Sequence, residues 1–381
     1  EIVIGNNVTE IGERAFYGCV SLTTVTFKAT SKVETIGNEA FAQCKALADI
    51  TLPASLKKLK DQNGQVLVFD GCTALRAINV EEGSTRFKAI DGILYGLNET
   101  GVITELCFVP KNYNANDGVL TVPSTVKSVW SGAFSGTMQL KKVVFVDGSQ
   151  VVFTSNMFYS CYALEEVVLP KGLKNIPTYT FSESHNLVTI TVPNTVVNIE
   201  RYAFFNLNGL TNLEFERADA DNKEPLNAGQ RMLYNCGALI TLTLSDRMAS
   251  IPQYFAYACD NLQTVNIPAS VTRIYGQAFY AYYQKEGTAG LNNWSNLTTV
   301  NIEDVNMPIY EGETNGKPSQ LTRLESSAFL RSIKLTTINL PDSISFMGAS
   351  VFSETAVKHL TIPAGLASNY MNSFANMKNL I

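Results

Sequence analysis

The stretch VTEIGERAFYGCVSLTTVTF, residues 8–27, is followed almost at once by VETIGNEAFAQCKALADITL, residues 33–52. Val8, Ile11, Phe16, Cys19 and Leu22 of the first line up with Val33, Ile36, Phe41, Cys44 and Leu47 of the second. With the Ala-Phe pair as a marker, the same position recurs at Phe16, Phe41, Phe69, Phe134, Phe158, Phe181, Phe204, Leu233, Ala256, Phe279, Phe329, Phe352 and Phe374. The commonest step is 23 residues, as from Phe158 to Phe181 and on to Phe204. Longer steps are one or two periods carrying extra residues, so insertions are loops on a regular scaffold.

Each part of one period has a physical reading. Leu22, Val25 and Phe27, like Leu187, Ile190 and Val192, carry the alternation of a short strand with one face inward. Pro53, Pro170, Pro193, Pro268, Pro341 and Pro363 follow that strand, where a missing N–H ends the ladder. A second apolar pair, such as Val8 and Ile11, lines the opposite wall. Gly12, Gly37 or Pro177 then turns the chain into a short helical or irregular Ala-Phe segment. No single period has two faces to close a core, so neighbours must stack. The expected fold is a right-handed, mostly β solenoid of the α/β class with a parallel β-sheet on its inner face. It forms a single array over 1–381 of about 13 coils, with a divergent module at 83–125 and inserted loops at 61–66, 217–229, 282–294 and 303–320.

The line VxxIGxxAFxxCxxLxxVxLP resembles the BspA-like class of leucine-rich repeat, also known from treponemal surface proteins, over nearly the whole chain. FKAIDGILYGLNETGVITELCFVPKNY, residues 87–113, resembles a divergent module often found between such repeats. The general leucine-rich Asn ladder is lacking, and Ala-Phe is inverted at Phe255-Ala256. The resemblance implies a leucine-rich repeat solenoid and a bacterial surface protein, some members of the class being associated with adhesion to host matrix proteins and with contact between bacterial cells.

Composition narrows the function from the other side. The chain of 381 residues is 45% hydrophobic and 17% charged, too apolar for disorder. A net charge of -5 offers no basic field, so nucleic acid is not an expected partner. The apolar runs are short, with no membrane span among them. The abrupt opening EIVIGNNV and ending SFANMKNLI read as a repeat array cut from a longer chain, whose missing ends would carry the signal or anchor of a secreted or cell-surface protein.

Chemistry is hard to find. Cys19, Cys44, Cys72, Cys161, Cys236 and Cys259 all fall three residues after the marker and form one column of small buried thiols. Their parallel directions suit neither a disulfide nor zinc. His185 and His359 are the only histidines, and no motif places a nucleophile beside either. ERADADNKEP, with Asp219 and Asp221, fails as a calcium loop because Lys223 and Gln230 stand where ligands are required. The expectation is no enzyme, no cofactor and no metal.

What remains is surface. Two residues of each strand should project to solvent, and Thr and Asn dominate them, with Thr243, Asn266 and Asn301 typical. Such residues suit an exposed pleat and can hydrogen-bond along the ladder; they also suit a broad uncharged binding face. Tyr282, Tyr283, Trp294 and Tyr310 sit on two consecutive inserted loops that could meet, either as a contact surface or to pin the loops to their own scaffold. The expected function is a non-catalytic surface or secreted recognition and adhesion protein, expected to be a monomer, binding a macromolecular partner such as a protein through the inner face and loops. The alternatives are glycan capture, favoured by the loop aromatics, and a structural spacer.

Overall fold

The computed structural model describes residues 1–59, 67–280, 295–366 and 372–381. The chain forms two compact units, Glu1–Leu173 and Lys174–Ile381. Both are built from the same coil, and each coil pairs with its neighbour along three ladders.

The first ladder is a parallel sheet. In the first unit Ile2–Ile4 pairs with Val25–Phe27, Asp49–Leu52 with Ala77–Val80, and Val119–Val122 with Lys142–Phe145. In the second, Thr241–Thr243, Thr264–Ile267, Thr299–Ile302 and Thr337–Ile338 follow one another. Equal repeat positions lie opposite each other: Asn266 faces Asn301 although 35 residues separate them. Insertions therefore leave the register untouched. The strands alternate as expected, Val25 and Phe27 buried and Thr26 exposed, with the inward residues dictating the register. Pro53, Pro193 and Pro268 follow their strands directly, and each proline carbonyl accepts a turn-closing bond, from Leu56, Val196 and Val271 respectively.

The second ladder is built from two-residue strands carrying the wall pair. Glu10–Ile11 pairs with Thr35–Ile36; Ser250–Ile251, Arg273–Ile274, Arg323–Leu324 and Phe346–Met347 form a row of four. Ile36, Ile251, Ile274 and Leu324 are fully buried.

The third ladder runs through the Ala-Phe segment, which takes the irregular option in a specific form. Successive turns alternate with left-handed residues two before and two after the marker, such as Tyr202 (φ 58°) and Asn206 (φ 60°) around Phe204. That alternation turns every second N–H and C=O toward the neighbouring coil. Phe204 N–H donates to Met232 C=O and Asn206 N–H to Tyr234 C=O; one coil on, Leu233 donates to Phe255 and Asn235 to Tyr257. An α-helix would have consumed these groups internally. Here they join rungs.

Side chains stack in the same columns. Phe279, Phe329, Phe352 and Phe374 are stacked at centroid separations of 5.5, 5.7 and 6.1 Å. Six cysteines form the next column, and after Cys19 their thiols donate to the marker carbonyl of the preceding coil: Cys44 to Phe16 at 3.2 Å, Cys72 to Phe41 at 3.0 Å, Cys161 to Phe134 at 3.1 Å, Cys236 to Phe204 at 3.0 Å and Cys259 to Leu233 at 2.9 Å. All seven are free thiols, and only Cys19 is exposed.

The divergent region interrupts this pattern with an antiparallel meander of Phe87–Ile90, Ile93–Leu97 and Ile103–Phe108. Asp91 and Gly92, both left-handed at φ 50° and 80°, supply its tight turn, the Asp-Gly chemistry a two-residue hairpin requires. Ser128–Val129 then pairs in parallel with Ile103–Phe108 and restores the coil.

Two outcomes follow from the columns. Phe329→Ala removes a fully buried ring stacked on both sides, and should cost about 3–5 kcal/mol in a denaturant titration; a loss below about 1 kcal/mol would show that the column does not bind the coils together. A thiol reagent near neutral pH should modify Cys19 alone, with the rest reacting only in denaturant. Burial pushes the Cys72 thiol from 9.0 up to about 12 and the Tyr257 phenol from 10.0 up to about 12. Between those limits the unfolded chain releases protons that the folded chain retains, so stability is intact below about pH 9 and falls as pH rises through this window. A urea midpoint unchanged at about pH 10.5 would contradict the buried column.

Candidate functional site

The exposed face of the sheet in Lys174–Ile381 holds three of the residues singled out from sequence. Asn266 Nδ2 donates to Thr243 Oγ1 at 2.9 Å, and Asn301 Nδ2 donates to Asn266 Oδ1 at 2.8 Å. Asn339 ends the row by clasping the neighbouring strand backbone, accepting from Ile302 N–H at 2.9 Å and donating to Ile302 C=O at 2.7 Å. Parallel in-register pairing is what brings these amides together, since each sits at one strand position of its coil. The row is uncharged and orders its own side chains.

Tyr310, the fourth residue within the described chain, anchors the insertion that carries it. Its hydroxyl donates to Leu244 C=O at 3.1 Å, and burial raises its pKa. The Arg217 guanidinium lies 4.0 Å from the Tyr310 ring centroid and meets Glu313 at 2.7 Å and Asp246 at 3.5 Å. Glu303, buried, fastens the base of the same insertion by accepting from Ala269 N–H at 2.9 Å and Lys317 N–H at 3.0 Å. The insertion at 303–320 therefore meets Arg217, at the start of the 217–229 insertion. Tyr282, Tyr283 and Trp294 lie outside the described residues, as does the loop 61–66.

The acidic stretch after Arg217 is internally satisfied. Asp219 accepts from the N–H groups of Asn222 and Asp221 and from Asn194 Nδ2, and these bonds hold its pKa down. His185 lies in a polar row, Nδ1 2.9 Å from Asn206 C=O and Nε2 3.4 Å from Glu183; His359 is exposed. Among the described residues no group of three or more His, Cys, Asp or Glu could hold a metal ion, and no helix is long and apolar enough to cross a membrane.

A further feature escapes a reading that follows motifs along the chain. Two surface columns flank the marker in consecutive coils. Two residues before it stand Tyr179, Tyr202, Arg231 and Tyr254; one residue after it stand Phe205, Tyr234, Tyr257 and Tyr280. Rings stack within each column, Tyr179 on Tyr202 at 5.0 Å and Tyr234 on Tyr257 at 4.9 Å. Between columns they meet edge to face, Tyr202 with Phe205 at 82° and Tyr254 with Tyr257 at 76°. Tyr202, Phe205, Tyr234, Tyr254 and Tyr257 line, with Arg231, an open groove of about 460 Å³. Aligning the coils and reading down each column would have exposed it.

The model of the BspA type leucine rich repeat region matches the chain in six copies, over residues 1–90, 103–221, 221–298 and 314–381. No curated protein matches it. Among solved structures it is similar to a leucine-rich repeat protein from Bacteroides ovatus, at 21% identity and a TM-score of 0.53, covering 99% of this chain and 90% of that one. It is also similar to the pneumococcal vaccine antigen PcpA, at 23% identity and a TM-score of 0.50, where 79% of this chain spans 62% of that one. The strands, columns and matched residues agree: the chain is a leucine-rich repeat solenoid and belongs to the BspA type leucine rich repeat family.

Proposed function

We propose that this chain is a non-catalytic recognition module of a cell-surface or secreted protein, binding a macromolecular partner through the solvent face of its sheet and the insertion beside it. The observation that carries the reading is the amide row Thr243–Asn266–Asn301. Side chains already held by one another lose little rotamer freedom when a partner docks, so a broad uncharged face can bind without a large ordering cost. The pinned insertion supplies a wall with one half-buried tyrosine and a braced arginine. Surface placement rests on family membership and on the kinship in fold with a vaccine antigen.

Glycan capture through the loop aromatics has less support, because Tyr310 is spent on anchoring its own insertion. The test is retention on immobilised extracellular-matrix glycoproteins. The double variant Thr243→Lys, Asn266→Lys should weaken retention about tenfold or more, while losing only about 1 kcal/mol of stability from the broken row. Retention that survives the double variant, or is absent in the parent protein, defeats the sheet-face reading.

A further inference from the structure

The aromatic groove on the turn ladder lies on a different part of the coil from the sheet face and carries its own inference. Arg14, Arg217, Arg273 and Arg331 each meet a carboxylate. Arg231 meets none among the described residues. Its guanidinium is held instead between two tyrosines, 4.5 Å from the Tyr254 ring centroid and 5.9 Å from that of Tyr202. No acidic side chain lines the groove. A half-buried guanidinium fixed by ring faces, with its N–H donors unmatched, is arranged to receive an oxyanion from outside.

Tyr179, Tyr202, Arg231 and Tyr254 occupy left-handed positions, at φ 56°, 58°, 56° and 58°. Gly or Asn is the residue that such a position favours, and a bulky side chain there is strained. Other coils place Arg14, Glu39, Asn156, Gln277, Ser327, Ser350 or Asn372 at the equivalent site. What sets these coils apart is the aromatic ring, which the left-handed position carries only at Tyr179, Tyr202 and Tyr254.

The shape and bonding of the groove select among anionic partners. Its backbone is already consumed: the carbonyls of Tyr202, Arg231 and Tyr254 accept from Phe205, Tyr234 and Tyr257, and the carbonyls of Tyr234 and Tyr257 accept from the preceding coil. An extended peptide would find no edge to pair with. The hydroxyls of Tyr179, Tyr202 and Tyr254, in contrast, make no hydrogen bond to the described protein. Aromatic walls, free phenol hydroxyls and a lone guanidinium match a chain of sugar rings that bears carboxylates at intervals. We propose that this groove binds an acidic saccharide, a uronate-containing chain, with Arg231 receiving a carboxylate between the Tyr202 and Tyr254 rings.

Calorimetric titration of the full chain with oligogalacturonate tests this, with a neutral malto-oligosaccharide and poly-L-glutamate as comparators. The parent should bind oligogalacturonate in preference to both, and more weakly as salt is raised. Arg231→Gln should lower the affinity about tenfold or more, with Arg231→Lys in between, and both should keep the parent's far-UV circular dichroism. Thr243→Lys, Asn266→Lys should bind oligogalacturonate as the parent does, so failure here is distinguishable from failure of the sheet-face reading. Absence of binding by the parent, equal affinity in Arg231→Gln, poly-L-glutamate binding as well as the uronate, or loss in the sheet-face variant would each overturn the assignment.

Discussion

Everything in this molecule depends on backbone pairing between neighbouring coils at three places in the repeat. A single coil leaves most of its N–H and C=O groups without partners, and buried groups of that kind are costly when unmatched. The strand ladder satisfies one set, the two-residue ladder a second, and the turn ladder a third. Because pairing is in register, a residue's immediate surroundings consist of its own counterparts one coil up and one coil down. That is why phenylalanine stacks on phenylalanine and a thiol finds the same carbonyl in coil after coil.

The cysteine column shows how tightly this constraint acts. The position is buried beside the phenylalanine column and faces a carbonyl of the preceding coil. Cysteine fills the volume as an apolar group and still offers a weak donor. Of the coils lacking cysteine, four place Thr137, Ser184, Ser332 or Thr355 there, buried and with a hydroxyl in place of the thiol, and two place the buried apolar Leu207 and Met377. Seven cysteines thus reflect packing, and burial drives the Cys72 and Cys236 thiols away from reactivity.

Strands, terminating prolines and inward columns were legible in the sequence because period-two alternation and proline's missing donor act locally. The turn ladder was less so. Ala-Phe is compatible with a helix, and the left-handed residues around it, Arg14, Glu39, Tyr179 or Ala258, are not the glycines that announce such a conformation. Inter-coil bonding imposes it from outside the segment. The same gap hid the aromatic groove. Tyr202, Arg231 and Tyr254 look unremarkable apart from one another, and only equivalence between coils makes them neighbours. Tyr310 drew notice because it stands in an obvious insertion, yet its hydroxyl bond to Leu244 and its contact with Arg217 spend it on the scaffold.

A stacked array also decides what kind of surface each column becomes. Where the repeated side chain carries both donor and acceptor, as asparagine does, the column closes on itself and leaves an ordered, neutral ridge. Where it carries an aromatic ring, as tyrosine does, the rings stack face to face along the column. Inserting one arginine into such a column adds a donor that its ring neighbours cannot satisfy, since a π face attracts the cation without accepting its N–H groups as a carboxylate would. Several other arginines are answered by a carboxylate from an adjacent coil or insertion, Arg14 by Glu39 and Arg217 by Glu313. At Arg231 the next coil offers Tyr254, a ring face in place of a carboxylate.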